Sequence, residues 1–197
     1  MAENLEMFFK EIKRKIIEAV KNDFPEIRKK TGKEKPYAAA FVTDSDYVTL
    51  RLGVNTYEFL EKADAKYTEV GDDYTTKWNP DEWGYTDGDS QIARIGVELS
   101  NEMGSIINQI KSQTDNLSYD QFQNLIEESG FPGLFLETVT SAFQELIQAN
   151  VFGFNHEEIT YFITMTDDEK AEEIENNSAR VLNSNKLYEE FLKREIF

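Results

Sequence analysis

Tyr37-Ala38-Ala39-Ala40-Phe41-Val42-Thr43, Asp44-Ser45-Asp46, Tyr47-Val48-Thr49-Leu50-Arg51-Leu52-Gly53-Val54: two runs rich in β-branched and aromatic residues flank a short polar turn. Such runs read as strands, and a connection this short makes them antiparallel. Outward from this hairpin the chain reads mostly as helix. Upstream, Leu5, Phe8, Phe9, Ile12, Ile16, Ala19 and Val20 recur at three- and four-residue spacing. They predict a helix from about Asn4 to Asp23, ended by Pro25 and the polar run Lys29 to Lys33. Its solvent side carries Lys10, Lys13, Arg14 and Lys15. Downstream, Asn55 followed by Glu58 opens a short helix with Tyr57, Phe59, Leu60 and Ala63 as its apolar positions. Tyr74 to Trp78 reads as a third strand, stopped by Pro80.

Further along, Ile92, Ile95, Leu99, Met103, Ile106, Ile107 and Ile110 form one helical stripe. Gly96 and Gly104 lie along it, and each weakens it by roughly 1 kcal/mol relative to alanine, which points to close packing. Ser118-Tyr119-Asp120-Gln121 is a capping box ahead of Phe122, Leu125 and Ile126. Gly130-Phe131-Pro132-Gly133 separates that helix from one over about Leu134 to Asn150. Ile159 to Met165 reads as a late strand. Thr166-Asp167-Asp168-Glu169 opens the next helix, and Ser184 the last. The order α-β-β-α-β-α-α-α-β-α-α lacks the alternation of a doubly wound parallel sheet. It predicts an α+β fold, an antiparallel or mixed sheet of about four strands packed with helices on one side, with a helix-rich C-terminal half. Residues 1–197 read as a single domain.

A chain of 197 residues buries roughly 70% of its unfolded surface, so it needs no metal or disulfide for stability. There is no cysteine, which excludes thiol catalysis and cysteine-ligated metal sites. The first residues carry acids where a leader peptide carries bases, and no apolar run is long enough to span a bilayer. A cytoplasmic protein is expected. With 38 acids against 21 bases, the net charge is −17. Such a field repels nucleic acid and anionic membranes and attracts basic partners.

Signatures of chemistry are sparse. His156 is the only histidine, in Asn155-His156-Glu157-Glu158, which is not a zinc-peptidase pattern. Neither a dinucleotide fingerprint nor a phosphate-binding loop occurs, and no cofactor is implied. Asp87-Gly88-Asp89 with Glu98 has the length of a calcium loop, but Ile92 stands where the turn needs glycine. Asp87 or Asp89 as a helix cap accounts for the same residues. Adjacent acids occur at Asp72-Asp73, Asp81-Glu82 and Asp167-Asp168. Only Asp81-Glu82 lies between large aromatics, where burial raises a carboxyl pKa. A hydrolase using Asp81 and Glu82 with His156 is therefore one reading; an intracellular scaffold or regulatory domain is another.

Lys77-Trp78-Asn79-Pro80-Asp81-Glu82-Trp83-Gly84-Tyr85 holds both tryptophans. As strand residues, Lys77 and Trp78 alternate, which places Trp78 inward and leaves Trp83 nearer the surface. Tryptophan and tyrosine concentrate binding energy at interfaces. Asp72, Asp73, Asp81, Glu82, Trp83, Tyr85, Asp87 and Asp89 then form an aromatic centre ringed by acids, suited to a basic protein partner. Together with the N-terminal helix and the strand at Tyr37, this run resembles a bacterial domain-of-unknown-function family with a Trp-x-Pro-x-Glu-Trp-x-Tyr core. The family is similar in size and gene setting to immunity proteins of polymorphic toxin systems. The resemblance implies no enzymatic activity and carries over no catalytic residues. It implies an antitoxin that neutralises a cognate toxin by masking its site.

Overall fold

The computed structural model describes residues 2–69, 75–87, 90–114, 116–166 and 168–194. In chain order these form α1 (Ala2–Thr31), β1 (Pro36–Thr43), β2 (Arg51–Thr56) and α2 (Tyr57–Glu69). A 3₁₀ turn (Pro80–Glu82), β3 (Tyr85–Thr86), α3 (Gln91–Gln113), α4 (Tyr119–Glu128) and α5 (Phe131–Gln148) follow. β4 (Thr160–Met165), α6 (Ala171–Leu182) and α7 (Asn185–Phe191) complete them. The sheet order is β3-β2-β1-β4. β1 runs antiparallel to β2, with Phe41 opposite Leu52, and parallel to β4, with Phe41 opposite Ile163. The fold is α+β with a mixed four-stranded sheet, as the element order implies.

Strand residues alternate between faces, and the two faces pack differently. Ala39, Phe41, Leu52, Val54, Tyr161, Ile163 and Met165 join the stripes of α1, α3 and α5 in the main core. Ala38, Ala40 and Phe162 turn the other way, into a smaller cluster with Tyr37, Trp83, Ala179 and Phe191. A register shift between Pro36 and Ala38 lets Tyr37 and Ala38 serve the same face. Both faces are therefore covered, not one. The second cover is built by the tryptophan segment and α7, with Ala179 of α6.

Several boundaries differ from the sequence expectation. α1 continues through Pro25 because Phe24 before it and Ile27 after it are both buried. Phe24 meets Phe152 and Phe154 edge-on, which offsets the one backbone bond that proline removes. Gly32, at φ 58°, ends the helix. β2 begins at Arg51, since Tyr47 adopts a left-handed φ of 59°. The Asp44 carbonyl accepts from Tyr47 N–H at 3.1 Å, and its Oδ1 from Val48 N–H at 3.0 Å. Thr56, not Asn55, caps α2 by accepting from Phe59 N–H. The third strand is Tyr85–Thr86, not the run up to Trp78. The capping box at Ser118 and Gln121 forms as expected. α5 begins earlier, at Phe131, with Pro132 in the first turn where a missing N–H costs nothing. Asp168 accepts from Lys170 N–H just before α6; Asp167 lies outside the described residues. Ser184 occupies the cap position of α7 without making a cap bond.

The outer edge of β4 meets side chains of α6 and of its C-cap Asn183 instead of another strand. Ser178 Oγ accepts from Ile163 N–H at 2.9 Å, and Asn183 Oδ1 accepts from Tyr161 N–H at 2.8 Å. Asn183 Nδ2 donates to Tyr161 O at 2.6 Å.

Candidate functional site

Hydrogen bonds hold the tryptophan segment to α2, to β1 and to itself. Asp64, on α2, accepts from Thr76 N–H at 2.8 Å, from Thr76 Oγ1 at 3.0 Å and from Thr75 Oγ1 at 2.7 Å. The Lys77 carbonyl accepts from Tyr37 Oη at 2.7 Å and from Trp83 Nε1 at 3.2 Å. Asn79 Oδ1 accepts from Asp81 N–H and caps the 3₁₀ turn. Burial keeps the Tyr37 hydroxyl well above the usual phenol range, although its acceptance from Asn55 Nδ2 acts the other way.

The tryptophans sit opposite to the sequence expectation. Trp83 is the buried one, 5% exposed, packed on Tyr37 and Phe162. Trp78 is half-buried, edge-on to Phe191 at 5.1 Å, with Lys77 Nζ 5.0 Å from its ring. Two causes account for the reversal. Residues 75–79 are not a strand, so alternation does not govern them. Gly53 on β2 leaves the sheet surface bare, and a Cβ there would lie 3.3 Å from the Trp83 ring.

The expected acidic rim is only partly a rim. Asp81 and Glu82 are exposed on the 3₁₀ turn, Asp81 paired with Arg51. Tyr85 spends its hydroxyl on Glu34 Oε2 at 2.5 Å. Burial first, then that carboxylate, pushes its pKa up to about 12. Glu34 is held below the usual carboxylate range, most by the Thr56 hydroxyl and then by Tyr85. Asp87 turns inward: its Oδ2 accepts from Ser90 Oγ at 2.7 Å, and Ser90 caps α3 by accepting from Ala93 N–H. Burial raises the Asp87 pKa, and its Oδ1 has no hydrogen-bond partner among the described residues. Asp72, Asp73 and Asp89 lie outside the described residues.

Other carboxylates take their place. A cleft of about 310 Å³ opens beside Trp78, with Pro80 and Asp81 on one wall. Asp168, Glu172 and Glu175 form the other wall, over a floor of Thr164 and Met165. Arg194 closes its inner end, 2% exposed. Its Nη2 and Nε reach Glu175 Oε2 at 2.7 and 3.1 Å, its Nη1 reaches Asn176 Oδ1 at 2.8 Å, and its guanidinium lies 3.9 Å from the Phe191 ring centre. A second cleft of about 300 Å³, bordered by Tyr37, Tyr57, Glu158 and Glu190, lies across Trp78 and Arg194. Glu172, Glu175 and Arg194 gave no sequence signal, because no local spacing ties them to Trp78. The parallel pairing of β1 with β4 brings the walls together.

His156 joins none of this. Its Nδ1 lies 3.4 Å from Tyr161 Oη, ahead of β4. The Asp81 cleft opens at the other end of that strand, about 16 Å away at a strand's rise per residue. The grouping of Asp81, Glu82 and His156 is therefore not assembled. Among the described residues, no cluster of three or more His, Asp or Glu side chains could hold a metal ion. Glu98, the last position of the calcium-loop pattern, instead pairs with Lys15 at 2.6 Å.

A family model described as Domain of unknown function (DUF4303) matches residues 16–184. The chain belongs to this family. No curated protein and no solved structure matches it. The DUF4303 match takes in the sheet, the tryptophan segment and both cleft walls, while α7 and Arg194 lie beyond it. No helix among the described residues of this DUF4303 chain is long and apolar enough to cross a membrane.

Proposed function

We propose that this DUF4303 chain is an acidic binding protein of the cytoplasm, an immunity protein that neutralises a basic toxin by masking its site. The cleft beside Trp78 carries the reading. The half-buried indole lines one cleft with the carboxylates of Asp81, Asp168 and Glu172, and Glu82 is exposed next to Asp81 on the 3₁₀ turn. An aromatic plane flanked by carboxylates suits a lysine or arginine side chain by cation–π and ionic attraction together. The net charge of −17 speeds the approach of a cationic protein. Masking needs only an interface of about 1,600 Å² and no chemistry of its own.

The test is to co-purify the chain with the product of the neighbouring gene, then to reverse charge with Glu82→Lys and Glu172→Lys. Both side chains are exposed, so the fold is expected to survive. Association slows about tenfold or more, and its dependence on salt weakens. A double variant that binds as tightly and as fast as the wild type places the contact elsewhere.

A further inference from the structure

A separate cavity of about 790 Å³ runs between α5 and α6. The two helices begin at the same end, where Lys170 is bound to Glu127 just before α5. Each presents the same ladder to the gap: Gly133, Leu136, Thr140 and Gln144 from α5, and Lys170, Ile174, Asn177 and Val181 from α6 with its approach. Spacings of three and four residues over eleven positions are how a helix faces a neighbouring helix. At 1.5 Å per residue each wall is about 16 Å long, or three turns.

We infer that this groove docks a basic amphipathic helix of a partner protein. Leu136, Ile163 and Ile174 give the groove an apolar floor, and Val181 stands 49% exposed at its edge. Gly133 has no atom within 4 Å of where a Cβ would stand, so a third backbone can approach closely. Charge decides the class of occupant. Glu137 and Glu173 rise from opposite walls, and neither forms an ion pair among the described residues. Lys170 is already bound to Glu127, and Arg180 is the remaining cation of the lining. On a chain of net charge −17, a helix with lysines flanking an apolar stripe matches both the floor and the two free acids. Helix-in-groove recognition reads such a stripe through anchors at i, i+3, i+4 and i+7. This surface is distinct from the acidic cleft, because α6 separates them: Glu172 and Glu175 line the cleft, and Glu173 and Asn177 line the groove.

The probe is a fluorescein-labelled helical peptide of about 12 residues, with leucines at i, i+3, i+4 and i+7 and lysines on both flanks. It is titrated with the full chain and followed by anisotropy. The striped peptide binds, whereas a scramble of the same composition binds at least about tenfold more weakly. Val181→Glu, at an exposed position, weakens binding about tenfold. The pair Glu137→Lys and Glu173→Lys weakens it by a similar factor, and Glu82→Lys with Glu172→Lys leaves it unchanged. No binding of the striped peptide at about 1 mM overturns the inference. Equal binding of the scramble, or full binding to Val181→Glu, overturns it too, since charge alone then accounts for the attraction.

Discussion

Replacing a glycine with alanine in the middle of α3 should give opposite results at two positions eight residues apart. In an open helical site the change is favourable by about 1 kcal/mol, because alanine is the better helix former. Gly104 is such a site: nothing lies within 4 Å of its added Cβ. Gly104→Ala is expected to stabilise by about 1 kcal/mol, which for a chain of this size raises the melting temperature by roughly 2–4 °C. Gly96 differs. Its Cβ would stand 2.7 Å from the Val48 carbonyl oxygen and 3.6 Å from Thr49 Cα. Both belong to backbone, and that backbone is held by the bond from Val48 N–H to Asp44. Relieving such an overlap costs about 1–3 kcal/mol, so the propensity gain is outweighed. The net for Gly96→Ala is a loss of about 1 kcal/mol, rising to about 2 if the loop resists. The two variants then differ by about 2–3 kcal/mol. Urea denaturation followed by tryptophan fluorescence and far-ultraviolet circular dichroism measures it. A Gly96→Ala protein as stable as Gly104→Ala would show that α3 is not pressed against the hairpin loop.

Three further outcomes are expected. Arg194→Met breaks a buried ion pair and costs about 3–5 kcal/mol, most of which Arg194→Met with Glu175→Met restores; denaturant titration of both variants decides it. In acrylamide quenching, the Trp83→Phe protein, which retains Trp78, is quenched more strongly than Trp78→Phe, and the reverse order would contradict the packing. Burial lifts Asp87 above its ordinary pKa of 3.8, so the folded state binds this proton more tightly than the unfolded one. Stability is therefore lost as pH rises from the unfolded value through the folded one. Asp87→Asn should exceed the wild type in stability at neutral pH by a margin that shrinks on acidification; a margin independent of pH would refute the shift.

What the sequence shows depends on how local each cause is. The strand ending at Thr43, its antiparallel pairing with the run after Asp44, the stripe from Ile92 to Ile110 and the Ser118 box are carried by neighbours in the chain and are legible, although the second strand begins four residues later than read. Pro25 misleads because Phe24 finds partners some 130 residues away and Ile27 joins the same core, which keeps the helix going. Tyr47 misleads because nothing in its identity announces a left-handed backbone; Asp44 imposes it. The tryptophans reverse for the same kind of reason. Trp83 is inside because Gly53, thirty residues earlier, leaves it a surface. At the candidate site, Asp81 and Glu82 could be picked out beside aromatics, but Glu172, Glu175 and Arg194 reach Trp78 only through a parallel strand pairing. That pairing spans more than 120 residues and leaves no periodic trace.

The side chains that α6 and its C-cap lend to β4 also govern what the sheet can recognise. A strand edge with free N–H and carbonyl groups invites addition of a foreign strand, in recognition and in fibril growth alike. Here Ser178 and Asn183 occupy the outer groups of Ile163 and Tyr161. At the opposite border, β3 offers only Tyr85 and Thr86, too short a template to zip a second chain. Neither border favours backbone pairing, so a partner has to read this protein through its side chains.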